Sequence, residues 1–340
     1  MNYIKEYQGI ILKEEEYNAL ISLEKKKGKS IKFEDFYSNG ITDLNLAFFV
    51  EEGNVKHLVM DDAIGKVLIE FPEEIFRLKD LSILILFFIS IPNIPEKISK
   101  LQSLKVFYVR GGELDDISSS IYDLKDLEIL TIEDNNLKKI NIKIGNLKSL
   151  KEVSYGNNAI EEIPNEICTL SNLTSLDLSE NKIKIVPDCI GGLKTLKLLS
   201  LFDNFIIELP QSFWLLKNLE KLYLSRNNLE SLPKNISNLI NLCDLDIEHN
   251  QISVLPENIG DLTSLKFLNL GKNNLEKIPS SIGNLKSLES LDLNNNKIVD
   301  LPESILNLKS LNTLNIIGNP ISKDDPIVIK LKEQGVNIST

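Results

Sequence analysis

The sequence predicts an α/β repeat solenoid, a stack of short coils that each contribute one strand and one helical turn. Three observations carry this. A 23-residue leucine pattern restarts at Leu81, Leu104, Leu127, Leu150, Leu173, Leu196, Leu219, Leu242, Leu265, Leu288 and Leu311 without a slip. Asparagine recurs at the ninth position of the coil: Asn135, Asn158, Asn181, Asn204, Asn227, Asn250, Asn273, Asn296 and Asn319. Proline recurs at the fifteenth: Pro72, Pro95, Pro164, Pro187, Pro210, Pro233, Pro256, Pro279 and Pro302.

Each position has a physical reason. Apolar residues fall at positions 1, 4, 6, 11, 14, 18 and 21 of the coil. Positions 4 and 6 alternate as a half-buried strand does. The PxxIxxL stretch has helical spacing but covers only a turn or two, which predicts a short helical or 3₁₀ return. Proline suits the start of that return, where φ is fixed and no ladder N–H is needed. An asparagine amide is both donor and acceptor, so at a buried turn it can bond the backbone of its own and the next coil. It thereby satisfies groups that would otherwise cost roughly 1–3 kcal/mol each. The asparagines are therefore read as structural.

In chain order, residues 1–54 form an N-terminal cap. It contains a helix over LKEEEYNALISLEKK, closed by Gly28, and then DLNLAFFVEEGNVKHLVM, two strands about Glu52-Gly53-Asn54. An irregular coil at Val55, Leu58 and Met60 begins the repeats, about twelve coils over 55–322 in one domain. A C-terminal cap, 323–340, holds a short helix from Asp325-Pro326 through Gln334, ended by Gly335. Caps are needed because solenoid ends would leave the core open.

The coil LKFLNLGKNNLEKIPSSIGNLKS from Leu265 resembles the leucine-rich repeat family, in its 23-residue intracellular Ras-group and scaffold type. The resemblance implies a curved solenoid with a parallel β-sheet on the concave face and short helical or 3₁₀ segments on the convex face. For function it implies a protein-binding surface, with a small GTPase or phosphatase assembly as the partner class.

Composition narrows the function further. The net charge is −11, which disfavours nucleic acid and anionic lipid as partners. The most apolar run, LSILILFFISI from Leu81, is bounded by Asp80 and Pro92. It falls short of the roughly 20 residues a membrane helix needs. The N-terminus lacks the pattern of a signal peptide. Three widely spaced cysteines, Cys168, Cys189 and Cys243, show no metal spacing and fit a reducing cytoplasm.

Chemistry-bearing motifs are sparse, and no catalytic residue, cofactor site or metal site is assigned. His57 and His249 lie in different coils, and Gly28-Lys29-Ser30 lacks the strand and glycine of a phosphate loop. Lys29-Ser30-Ile31-Lys32-Phe33 matches the spacing of a phosphatase-docking peptide, but serves equally as cap core.

The outward columns of the strands, positions 3, 5, 7 and 8, map the binding surface. Ile83, Ile85, Phe87, Phe88 and Tyr108 form an apolar patch, whose alternative fate is burial under the N-terminal cap. Phe202, Tyr223, Arg226, Asp246 and His249 form a second contact zone on a mostly acidic stretch. The expected function is a non-enzymatic, monomeric interaction scaffold. Self-association through the patch, or an unrecognised hydrolase, are the alternatives.

Overall fold

The computed structural model describes residues 4–7, 10–27, 32–33, 46–61 and 71–340. The chain divides into two compact units, Met1–Ile160 and Glu161–Thr340.

The N-terminal unit opens with an antiparallel pair that the sequence reading did not anticipate, β1 (Ile4–Tyr7) and β2 (Ile10–Lys13). Helix α1 (Glu14–Lys27) follows, with three glutamates in its first turn, where the helix dipole favours negative charge. Its buried stripe is Ala19, Leu20 and Leu23. Then come β3 (Lys32–Phe33), β4 (Leu46–Glu51) and β5 (Asn54–Asp61). β4 and β5 are the antiparallel pair read from the sequence, turning at Glu52-Gly53, both with positive φ.

β5 pairs in parallel with β6 (Ile83–Phe87). The coil of β6 also carries β7 (Asn93–Ile94), which pairs with β9 (Asp116–Ile117) of the next coil in a separate small ladder. β6 leads to β8 (Val106–Arg110), β10 (Ile129–Glu133) and β11 (Glu152–Ser154), all parallel. Of the phosphatase-like pattern, Lys29 to Ile31 lie outside the described residues, as does Gly28-Lys29-Ser30; Lys32 and Phe33 are described only as backbone.

The C-terminal unit is a run of parallel three-residue strands at 23-residue intervals, from β12 (Ser175–Asp177) to β18 (Thr313–Asn315). Helix α2 (Pro326–Glu333) then begins on Asp325, whose carboxylate accepts from the N–H groups of Ile327 and Val328. β19 (Asn337–Ser339) closes the sheet edge beside β18.

Between strands, the chain returns through 3₁₀ turns such as Glu96–Lys100 and Lys234–Asn238, each entered from proline. Two coils lack that proline. There Ser118 and Asn141 occupy position 15, and their side chains cap the turn by accepting from the N–H of Ser120 and Lys143. A side-chain cap thus replaces the fixed φ of proline.

The asparagines bond their own coil, as read from the sequence, but reach the preceding coil and not the next one. Asn204 Oδ1 accepts from Ile183 N at 2.9 Å, and its Nδ2 donates to Leu178 O at 3.0 Å, both in the preceding coil. The same amide also donates to Leu201 O and Phe202 O of its own coil. Asn227, Asn250, Asn273 and Asn296 repeat this pattern and are nearly fully buried.

The cysteine reading is corrected. Cys168 and Cys189 form a disulfide between neighbouring coils, with Cα atoms 5.8 Å apart, and Cys243 alone is free. A separation of 21 residues, distant in an ordinary chain, is adjacency in a 23-residue repeat.

One buried acid sits in the N-terminal unit. Glu16 on α1 is 5 % exposed and accepts from Val55 N at 3.2 Å. Burial pushes its carboxyl up to about 7; the Val55 hydrogen bond opposes this and Asp80 adds to it. A raised acid pKa stabilises the fold fully below the unfolded value near 4.5, and that contribution is lost as pH rises through about 7. Glu16→Gln is therefore expected to be more stable than the parent at pH 8, by about 2 kcal/mol after allowing for partial solvation. The advantage should vanish at pH 4, as measured by urea unfolding.

Candidate protein-binding face

Strand alternation sends one side of each strand into the core and leaves the other open. In the N-terminal unit, Leu84, Leu86, Phe107 and Val109 are fully buried on the core side. The open side carries Ile83, Ile85 and Phe87 on β6, and Val106 and Tyr108 on β8, all half-buried. Register places Ile83 beside Val106, Ile85 beside Tyr108, and Phe87 beside Arg110. The Phe87 and Tyr108 rings meet edge to face at 5.3 Å. Four of the sequence-predicted residues, Ile83, Ile85, Phe87 and Tyr108, therefore share one continuous surface.

The apolar stripe extends toward the cap, which the sequence reading missed. His57 on β5 neighbours Ile83, and Phe49 on β4 stacks on His57 at 5.0 Å. Burial also pushes the His57 pKa down, which favours the neutral ring. Val59, beside Ile85 on the same face, is 1 % exposed. Cover therefore decreases from β5 toward β6, and Phe88 is 44 % exposed. The alternation of Phe49, His57 and Val59 with core residues was the available signal.

Position 8 is not a strand position, contrary to the sequence reading. Phe88, Asp134 and Asn157 have φ near +50°, and so do Arg226 and His249 in the other unit. The chain leaves the strand here in a left-handed turn, which costs roughly 1–2 kcal/mol for a residue with a Cβ. A bulky aromatic in this conformation is uncommon. The next coil accommodates it with Gly111, where a Cβ would lie 2.5 Å from the Phe88 ring.

A polar rim bounds the patch. Tyr108 donates to Glu133 Oε2 at 3.1 Å, and Ser154 donates to Glu133 Oε1 at 2.7 Å. Arg110 pairs with Asp134 at 2.5 Å, and Asn157 donates to the same carboxylate. Burial alone would raise the Asp134 pKa, but the Arg110 and Asn157 hydrogen bonds outweigh it and hold it low. Burial raises the Tyr108 phenol, and Glu133 adds to that shift.

In the C-terminal unit the open face is polar. Arg226 lies over the Phe202 ring at 5.5 Å and 3.5 Å from Asp203. Tyr223 is register-paired with Asp246 and donates to Asp244 at 2.9 Å. Burial, then Asp244 and Asp246, push the Tyr223 phenol up to about 12. Burial also raises Asp246, against hydrogen bonds from Glu248 N and Ser225. His249 is exposed on its left-handed turn. Among the described residues, no group of His, Cys, Asp and Glu is arranged to hold a metal ion, and no helix is long and apolar enough to cross a membrane.

Family models agree with this architecture. A leucine-rich repeat region model matches residues 211–292 and 254–327, and a leucine rich repeat model matches residues 148–206. The chain belongs to the leucine-rich repeat family. Such proteins generally mediate protein–protein interaction and are typically non-enzymatic.

Among solved structures, the chain is similar to an internalin from Listeria monocytogenes, with 24% identity and a TM-score of 0.69. That match covers 84% of this chain and 89% of the internalin. It is also similar to a TDR receptor, at 30% identity and a TM-score of 0.66, over 70% of this chain but 43% of the receptor. A plant peptide hormone receptor, RGFR1 in complex with RGF2, matches at 24% identity and a TM-score of 0.60, over 74% of this chain and 54% of that one. The chain thus spans about half of each receptor structure. No curated protein matches the chain.

Proposed function

We propose that the protein is a non-enzymatic interaction scaffold that binds a partner protein on the open face of its strands. The supporting observation is the apolar face of the N-terminal unit, where Ile83, Ile85, Phe87 and Tyr108 are half-buried beside an exposed Phe88. Exposed apolar patches with aromatics and a neighbouring arginine have the composition of interface anchors. A small GTPase or phosphatase assembly is the proposed partner class, and Phe202, Tyr223, Arg226, Asp246 and His249 the second zone.

Capture of the native partner by the full chain tests this. Phe87→Asp should reduce capture by at least roughly tenfold, since it places a charge in the contact. Phe88→Asn should do the same without loss of stability, because asparagine suits the left-handed backbone. Undiminished capture by both well-folded variants would contradict the proposal. A concentration-dependent dimer, lost in Phe88→Asn, would instead favour self-association.

The cytoplasm is carried as the proposed compartment on the resemblance to the intracellular repeat type. The cysteine argument for it falls with the Cys168–Cys189 bridge, because disulfides persist mainly in oxidising compartments. Thiol alkylation in quenched cells decides the matter. A cytoplasmic protein labels at all three cysteines, and an exported one at Cys243 alone.

A further inference from the structure

Helix α1 lies where a coil of the repeat would carry a 3₁₀ return, and its Ser22 hydroxyl donates to Glu74 on the first return. A 14-residue α-helix does not match the shape of a five-residue 3₁₀ turn. Beside the Ser22–Glu74 contact lies an open groove of about 600 Å³ lined by Glu15, Asn18, Phe76, Arg77, Lys79 and Lys100. That volume is in the range of small-molecule sites.

Three cations converge on this groove in a chain of net charge −11. Arg77 and Lys100 occupy position 20 of their coils. In later coils that position holds Asp123, Asn146, Thr169, Gly192, Leu215, Asn238, Asp261, Asn284 and Asn307. Position 20 is thus cationic only in the two coils that line the groove.

Lys79 departs from the repeat in a second way. It stands at position 22, where a lysine ordinarily donates to the carbonyl three residues earlier. Lys125 does so to Tyr122 O at 2.9 Å, and Lys286 to Gly283 O at 2.6 Å. Among the described residues, the side chains of Lys79, Arg77 and Lys100 make no hydrogen bond or ion pair. Three unpaired cations lining one groove give it a positive potential that attracts an anion.

We propose that this groove binds a small-molecule phosphate monoester bearing an apolar ring. The three cations against Glu15 leave a net charge of +2, which matches a phosphate monoester of about −2 better than a single carboxylate. The Arg77 fork suits paired oxyanion contacts, and Lys79 and Lys100 act as point charges. Phe76, stacked on Phe71 at 5.3 Å, supplies an aromatic floor for the ring. Asn18 and Glu15 offer hydrogen-bonding groups at the opposite wall.

Calorimetric titration of the full chain with phenyl phosphate, at constant ionic strength, tests the site. One saturable site is expected, roughly tenfold tighter than for inorganic phosphate or benzoate. Arg77→Gln and Lys100→Gln, both at exposed side chains, should each weaken it by roughly tenfold, while Lys125→Gln leaves it unchanged. Absence of saturable binding overturns the proposal, as does unchanged binding by the Arg77→Gln/Lys100→Gln double variant. Tighter binding of a phosphoserine peptide than of phenyl phosphate would also overturn it, by assigning the site to a protein ligand.

Discussion

Asn227→Ala is expected to destabilise the C-terminal unit by about 3–4 kcal/mol. The amide is 6 % exposed and works in two directions at once. Its Oδ1 accepts from Ile206 N at 3.0 Å, and its Nδ2 donates to Leu201 O at 2.8 Å and Leu224 O at 3.1 Å. Alanine leaves those backbone groups buried without partners, and each unmet group costs more than a made bond contributes. The neighbouring Asn228 is the control. It accepts only an exposed contact from Gln251, so Asn228→Ala should stay within about 0.5 kcal/mol of the parent. Urea unfolding of both variants measures the difference; equal losses would show that the ladder is not what supports the turns.

Gly260→Ala is expected to cost about 2–3 kcal/mol through overpacking. A Cβ at Gly260 would lie 2.3 Å from Ser281 O and 2.7 Å from Ser281 Cβ. Backbone of the next coil occupies that space, so no flexible side chain can swing aside. The same contact recurs at Gly191 and Gly283, against Ser212 and Ser304. Where position 19 is glycine, the neighbouring 3₁₀ returns therefore approach more closely than a side chain there would allow, whereas coils with Tyr122 or Trp214 at that position are spaced to hold one. Gly192 sits one residue further along, and its nearest atom to a Cβ is 3.7 Å away. Gly192→Ala should be tolerated, and thermal melts of the two variants separate sterics from a general loss of glycine.

The coil architecture was legible because each structural demand falls on a residue type at a fixed interval. Leucines at positions 4 and 6, asparagine at 9 and proline at 15 each answer one physical requirement, and repetition removes ambiguity. What was hidden lay in contacts between coils. The left-handed turn at position 8 went unread because Phe88, Glu180, Arg226, His249 and Lys272 are not residues that announce positive φ. Gly111, Gly318, Asn157, Asn295, Asp134 and Asp203, residue types that tolerate the left-handed region, were the available hint. The Cys168–Cys189 bridge was missed because spacing along the chain was not converted into spacing across the stack. The direction of the asparagine bonds likewise depends on how one coil sits on another.

The open face was legible as columns of side chains, but its extent was not. Phe49 and His57 belong to the cap strands, outside the leucine pattern, and only strand pairing brings them beside Ile83. The groove beside α1 was invisible in the same way, since Arg77 and Lys100 become unusual only when compared with position 20 of every later coil.

Site-specific photo-crosslinking tests the binding face most directly. A benzophenone side chain replaces Phe88 in one full-length variant and Phe205, which is 51 % exposed outside the open face, in another. Irradiation in the native cell is predicted to give one covalent protein adduct from position 88 and none from position 205. An adduct from position 205, with position 88 unreacted, would contradict the assignment of the open strand face as the binding surface.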